Sequence, residues 1–305
     1  MEVIPEWVDA SGKNRVNFGH TVMFRKVYKN SIGQAVKYVI PENEELDFAE
    51  SIFGKIRNNG YKGKIMVTNA YPDGQLKFEG YHIINTLATP KPTSIQLYLE
   101  QKQDSTIITY EDDNATIRGY KHYWHKTGDH WQKKGKSNPK IDKKIRPISK
   151  NCKFSFIIHF ENLSDIELGA LLFCIDLKEG LAHKIGLGKP LGLGSVSIKS
   201  NLTLINMKER YSKLFKKDLD EWQLGYEESN GKKVDFVSSF EKFILNKIGD
   251  NSDSLWHSDR ISKLQKLLDV KLGIQLENSG KIDYTDVRSD DYKERIKLPH
   301  LDDIS

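Results

Sequence analysis

Apolar and polar positions divide the chain into three regimes. Up to about residue 44 the pattern is irregular and mostly polar, with short β-like patches at Thr21–Phe24 and Ala35–Ile40. From Glu45 onward, Leu46, Ala49, Ile52 and Phe53 give one apolar face to a short helix, which Gly54 stops. Asp47 and Glu50 on that helix read as solvated. Lys64–Asn69 reads as a strand, followed by a turn at Pro72, Asp73 and Gly74. Pro90 and Pro92 then break the chain before a short strand over Ser94–Leu99. The sharpest pattern begins at Lys153, where Phe154, Phe156, Ile158 and Phe160 alternate and so point to one face of a strand. Ser164 followed by Glu167 is a capping-box signature; it opens a helix with Leu168, Leu171, Leu172 and Ile175 on one face, ended by Gly180. A glycine-rich loop leads into a strand over Ser195–Lys199. Strand, helix, glycine loop and strand make up half of a ferredoxin-like unit. Beyond Asn206 the pattern turns helical, over Met207–Phe215, Phe236–Ile248 and Ser254–Val270. The last of these carries Ile261, Leu264, Leu267 and Leu268 as a core stripe, while Trp222 and Trp256 read as packing anchors. The final stretch is acidic and mostly polar, and no internal repeat is visible.

Composition narrows the class. The 305 residues are 38% apolar, 10% aromatic and 29% charged, enough for a sizeable core and unlike collagen-like, low-complexity or wholly disordered chains. Cys152 and Cys174 are too few for a disulfide framework and form no CxxC metal pattern, so a reducing cytoplasm is expected. No apolar run reaches about 18 residues and the first residues are not a signal peptide, so neither a spanning nor a secreted form is expected.

The formal net charge of +5 is unevenly spread. Arg118–Lys153 holds 12 Lys and Arg against 2 Asp and Glu, a local +10 that leaves −5 for the rest of the chain. Tyr120, Tyr123, Trp124 and Trp131 lie within it, beside His122, His125 and His130. Cations beside aromatic rings suit a nucleic-acid strand, because cations neutralise phosphates and rings stack on unpaired bases. A solvated, partly disordered loop is the competing reading. The three histidines have a spacing that a metal site could use, but the surrounding positive charge opposes a divalent ion.

The glycine loop carries Gly186, Gly188, Gly192 and Gly194 within nine positions, with Lys189 and Pro190 between them. Each glycine loses backbone entropy on ordering, so four together need a cause: a tight hairpin, or close approach of another backbone or a phosphate. The loop lacks the GKS or GKT of a Walker A motif, and it precedes a strand where a Rossmann fingerprint opens a helix. No Ser–His–Asp signature emerges.

The stretch Ile185-Gly-Leu-Gly-Lys-Pro-Leu-Gly-Leu-Gly-Ser-Val196 resembles the glycine-rich loop of the CRISPR-associated RAMP superfamily of RNA-binding effector proteins. Leu46 to Gly54, Gly63 to Ala70, and Pro90 to Leu99 leading to Ile117–His125 are similar to a type III-associated subgroup related to the large single-chain fused RAMP effectors. Together these blocks span roughly residues 18 to 200. The resemblance implies an α+β, ferredoxin-like (RRM-like) RAMP domain over 45–205 with a basic insertion at 100–152. An irregular segment, 1–44, would precede it, and a mainly helical extension, 206–305, would follow. The loop of Pro-Gly-Ser-Ser-x-Arg-Gly character that usually opens such a domain has no match before Glu45, so its N-terminal half is expected to be absent, rearranged or supplied by another chain.

By resemblance, the protein is expected to be an RNA-binding subunit of a type III CRISPR ribonucleoprotein effector, holding guide RNA or a guide–target duplex beside other RAMP subunits. Gly186, Gly188, Gly192 and Gly194 would admit RNA backbone, Lys189 would meet phosphate, and Arg118, Lys121, His122, Tyr123 and Trp124 would clamp or stack. No cofactor is expected for that role. The alternatives are a metal-dependent endoribonuclease using Asp73 or Asp113 and a divalent metal, or a protein–protein scaffold whose basic loop binds an acidic surface.

Overall fold

The computed structural model describes residues 2–3, 7–8, 14–15, 18–19, 28–36, 45–56, 60–87, 89, 93–102, 106–127, 131–133, 142–213, 224–283, 290, 294 and 296–304. It is a mixed α and β chain with small antiparallel sheets. Among the described residues every sheet is two-stranded, and no helix is long and apolar enough to cross a membrane. The chain divides into two units, Met1–Pro41 with Pro90–Tyr120 and Asp290–Pro299, and Glu42–Thr89 with Lys121–Ser289 and His300–Ser305.

In the smaller unit, Glu2–Val3 pairs antiparallel with Phe18–Gly19 and Trp7–Val8 with Asn14–Arg15, where the sequence suggested only irregular chain. The β-like patch at Thr21–Phe24 lies outside the described residues. Ala35 and Val36 end a helix, Ile32–Val36, instead of opening a strand. Ala35, Ile95, Leu99, Tyr110 and Ala115 form the core, with Tyr28, Ile108 and Ile117 against it. Ser94–Leu99 is not a strand: Ile95–Tyr98 is a single helical turn, closed by the Leu99 amide on the Ile95 carbonyl at 2.9 Å. Ile95 and Leu99 are four apart, so a helical turn buries both on one face, and that outweighs the alternation of Ile95, Leu97 and Leu99. The buried Gln101 amide satisfies both main-chain groups of Ile108 at 2.9 Å.

The larger unit opens with the helix Phe48–Phe53. Asp47 and Glu50, expected to be merely solvated, form a capping box at its start, and Gly54 ends it at φ +88°. Ile65–Val67 pairs with Ile158–Phe160, Tyr71–Pro72 with Phe154–Ser155, and His82–Ile83 with Lys144–Ile145. The strand expected from Phe154 to Phe160 is broken in the middle. There the Thr68 hydroxyl accepts the Ile157 amide at 2.9 Å in place of a main-chain carbonyl. Phe154 and Phe156 remain exposed, while Ile158 and Phe160 turn inward.

The expected capping box at Ser164 and Glu167 opens the helix Asp165–Ile175. That helix ends at Asp176, earlier than Gly180, which instead closes the next turn at φ +86°. It packs on the helix Lys233–Ile248 so closely that a Cβ on Gly169 would lie 2.0 Å from the Phe236 carbonyl oxygen. Their shared core is Ala170, Phe173, Leu181, Phe240, Leu245 and Trp256. Trp256 thus packs as expected, and Trp222 lies outside the described residues. Met207–Lys213 is helical, as expected up to the limit of the described residues there. The single helix expected over Ser254–Val270 is instead a 3₁₀ turn, Leu255–His257, and two helices, Asp259–Leu268 and Val270–Asn278, with Asp269 capping the second through the Leu272 amide.

Candidate nucleic-acid interface

The glycine loop is a hairpin whose stems are His183–Lys184 and Ser195–Val196, joined at the neck by the Ile185 amide on the Gly194 carbonyl at 2.8 Å. All four glycines have φ between +76° and +101°, the left-handed region that other residues enter only with strain. Their surroundings differ. A Cβ on Gly194 would lie 1.8 Å from the Ile185 carbonyl oxygen, and one on Gly192 2.8 Å from the Lys126 Cβ, whereas one on Gly186 would meet nothing within 4 Å. Gly188 caps a 3₁₀ turn, Lys189–Leu191, that buries Leu191.

The basic segment does not lie free beside this hairpin. His125 is 1% exposed and links the residue before the first stem to the second stem. Its Nε2 lies 3.0 Å from the Ala182 carbonyl and its Nδ1 2.8 Å from the Ser195 hydroxyl. A carbonyl only accepts, so a neutral ring donates from Nε2 and accepts the serine proton at Nδ1. Burial and the Lys184 charge hold this imidazole below its ordinary pKa, consistent with the neutral form. Two glycines clamp the segment: Gly192 approaches Lys126, and a Cβ on Gly273 would lie 2.4 Å from the His125 carbonyl oxygen. The Thr127 amide donates to Glu277 at 2.7 Å. The solvated-loop reading therefore fails for 121–127. His125 uses both ring nitrogens within the protein, and His130 lies outside the described residues. Among the described residues no group of three His, Cys, Asp or Glu is placed to hold a metal ion.

Lysines concentrate at the hairpin. Lys184 Nζ donates to the Gly192 and Leu193 carbonyls at 2.8 and 3.2 Å, holding the loop from below. Burial, then the nearby Lys126 charge, push its pKa down to about 8 against the opposing pull of Glu277. Lys126 is pushed down by burial as well, with Asp283 and Glu277 pulling it back. A groove of about 450 Å³ opens beside the hairpin. Lys121, Lys184 and Lys189 line it over an apolar floor that includes Phe173, Trp256 and Leu264, and no carboxylate is among its lining residues. His122 and Tyr123 also line it, with Lys121 Nζ 5.3 Å from the Tyr123 ring centre.

Of the residues singled out from sequence, the four glycines, Lys189, Lys121, His122 and Tyr123 thus share the hairpin and its groove. Trp124 is half-buried. Arg118 belongs to the smaller unit, where its guanidinium donates to the Leu298 carbonyl at 2.7 Å and also to that of Pro299. Asp73, in the larger unit, accepts the Ser155 hydroxyl on both carboxylate oxygens at 2.7 and 2.8 Å. Asp113, in the smaller unit, is ion-paired with Lys29 at 2.6 Å, and that hydrogen bond holds its carboxyl below the usual range. Each candidate acid thus has a structural partner. Lys184, Lys126 and the clamping role of His125 were missed from sequence; the one available signal was a lysine two residues ahead of the first loop glycine.

No protein-family model matches the chain, and no curated protein matches it.

Proposed function

We propose that this chain is an RNA-binding subunit of a type III CRISPR ribonucleoprotein effector, holding guide RNA or a guide–target duplex in the cytoplasm beside other RAMP subunits. The observation that carries the reading is the glycine hairpin over its cationic groove: Lys121, Lys184 and Lys189 line one opening, and no carboxylate is among its lining residues. Such a site attracts a polyanion and contacts it through charge and backbone, without reading sequence. A protein that must hold any guide needs that kind of contact. The resemblance of Ile185–Val196 to the RAMP glycine loop supplies the family. The order of strand Ile158–Phe160, helix Asp165–Ile175 and glycine hairpin supports a ferredoxin-like core.

The test is ultraviolet crosslinking of the purified chain, alone and with its RAMP partners, to guide RNA, followed by peptide mapping. Crosslinks within 121–127 or 183–196 that Lys121→Gln with Lys189→Gln abolishes support the reading. Crosslinks confined elsewhere overturn the assignment of this groove. A complex that survives nuclease but dissociates in high salt favours the protein–protein scaffold instead. Intact target cleavage by a complex carrying Asp73→Ala and Asp113→Ala removes these two residues as nuclease candidates.

A further inference from the structure

A second surface, separate in its residues from the groove, runs along the antiparallel ribbon of the larger unit. The strand pairs Tyr71–Pro72 with Phe154–Ser155 and His82–Ile83 with Lys144–Ile145, and the bridge of Phe78 to Ile148 between them, join 71–84 to 144–155. The bridge of Ile84 to Gln132 adds a third short segment, whose Trp131 packs edge-on to His82 with ring centres 5.1 Å apart. From 144 to 150 exposure alternates with the pleat. Lys144, Arg146, Ile148 and Lys150 are exposed, and Ile145, Pro147 and Ser149 are half-buried. Six residue steps of extended chain make this stripe about 20 Å long.

The aromatic residues on this face come from the other strand. The Arg146 guanidinium lies 4.6 Å from the Phe78 ring centre and 5.7 Å from that of Tyr81, and Lys144 Nζ lies 4.9 Å from Tyr81. Tyr81 is 66% exposed and Phe78 43%. Residues 75–84 and 143–150 hold five Lys and Arg against a single acid, Glu79. Among the described residues neither Lys144 nor Arg146 pairs with a carboxylate; their contacts are with ring faces. An exposed ring held in register by cations, on a regular backbone, offers a π-face to a further flat partner and charge to a neighbouring anion.

We propose that this ribbon face binds single-stranded nucleic acid: unpaired bases stack on Tyr81, Phe78 and the Arg146 plane, while Lys144 and Lys150 meet the phosphates. Single strands fit because a duplex hides the faces of its bases. The choice of RNA rests on the RNA-binding reading above, but the ribbon residues do not.

The experiment measures binding of the full chain to a fluorescent oligouridine RNA and to a duplex of equal length, by anisotropy across salt concentrations. Three variants are compared: Phe78→Leu with Tyr81→Leu, Lys144→Gln with Arg146→Gln, and Lys121→Gln with Lys189→Gln. The ring variant is expected to lose roughly tenfold or more in affinity for the single strand and little for the duplex. The Lys144 and Arg146 variant is expected to flatten the salt dependence. Both keep exposed positions exposed, and unchanged circular dichroism confirms folding. A photocrosslinked nucleotide on Tyr81 in the wild-type chain supports the same conclusion without any variant. Ring and charge variants that bind like wild type overturn the ribbon proposal alone. A groove variant that binds like wild type overturns the groove alone, and a wild-type chain that binds no oligonucleotide in low salt overturns both. Loss of binding to an acidic polyglutamate peptide with RNA binding intact also overturns the ribbon proposal, in favour of a protein partner.

Discussion

Gly186 and Gly194 have the same residue type, nearly the same φ (+80° and +76°) and places in one motif, yet alanine should affect them very differently. At Gly186 the added methyl meets nothing within 4 Å, so the main effect is left-handed strain of about 1–2 kcal/mol, partly offset by the stiffer unfolded chain. At Gly194 the same strain applies, and the methyl would also stand 1.8 Å from the Ile185 carbonyl oxygen. That oxygen must move by more than 1 Å to reach an ordinary contact. The movement disrupts the 2.8 Å neck bond from the Ile185 amide, itself contributing about 0.5–1.5 kcal/mol, and strains the Lys184 bonds to Gly192 and Leu193. The difference between the two variants is then about 2 kcal/mol, or roughly 30-fold in the local opening equilibrium. Hydrogen exchange followed by mass spectrometry over 183–196 reads that opening directly, without requiring the two units to unfold together. Exchange in Gly194→Ala should be accelerated roughly 30-fold beyond that in Gly186→Ala. Equal protection in the two variants would refute the reasoning that contact, and not φ alone, fixes the Gly194 position.

Glu167 gives a second expectation. Burial pushes its carboxyl up, but hydrogen bonds from Lys64, the Ser164 amide and the Ser51 and Ser164 hydroxyls outweigh this and hold it at about 2. Its folded pKa lies below its unfolded one, so its contribution is present above about pH 4.5 and lost as pH falls toward 2; it is on the order of 3 kcal/mol. Urea midpoints measured across that window should fall in wild type and stay flatter in Glu167→Gln, which should be destabilised at pH 7. Lys184 gives the same slope in an alkaline window, although its depressed pKa disfavours the folded state at neutral pH. Its pKa is depressed to about 8, so the unfolded chain binds more protons between there and 10.5, and stability should rise with pH through that window, an effect absent from Lys184→Met. If phosphate docks beside Lys184, RNA binding near pH 8 should also take up protons, visible as a dependence of binding enthalpy on the buffer's ionisation heat. His125→Ala should cost roughly 2–4 kcal/mol, by leaving a cavity and two polar groups unpaired, and, on the proposed function, should weaken RNA binding without altering a side chain that lines the groove; thermal unfolding and anisotropy would check both.

Local signals were legible wherever one segment decides its own structure. Ser164 with Glu167, and Gly54 after an apolar face, act within a single turn, so sequence alone places those ends. Ile95–Tyr98 was misread because Ile95, Leu97 and Leu99 satisfy a strand as well as a helix; burial against Ala35, Tyr110 and Ala115 decides, and that information lies far along the chain. The break at Phe156 was hidden for a similar reason, since it depends on a hydroxyl at Thr68. At the site, four glycines announced an unusual backbone but not its partner. That Gly192 faces Lys126, and that Gly273 faces His125, comes from pairing across the fold. The basic run concealed a division of labour: Arg118 holds carbonyls, His125 links Ala182 to Ser195, and Lys121 lines a groove.

The clamping of 121–127 has a thermodynamic consequence. A basic arm that ordered only on meeting RNA would offset much of its attraction with lost conformational freedom and would show a large heat-capacity change. Here Gly192, Gly273 and His125 impose that loss when the protein folds. On the proposed function, Lys121 and Tyr123 would therefore meet the polymer as parts of a preformed surface, and the encounter would be rigid docking instead of coupled folding.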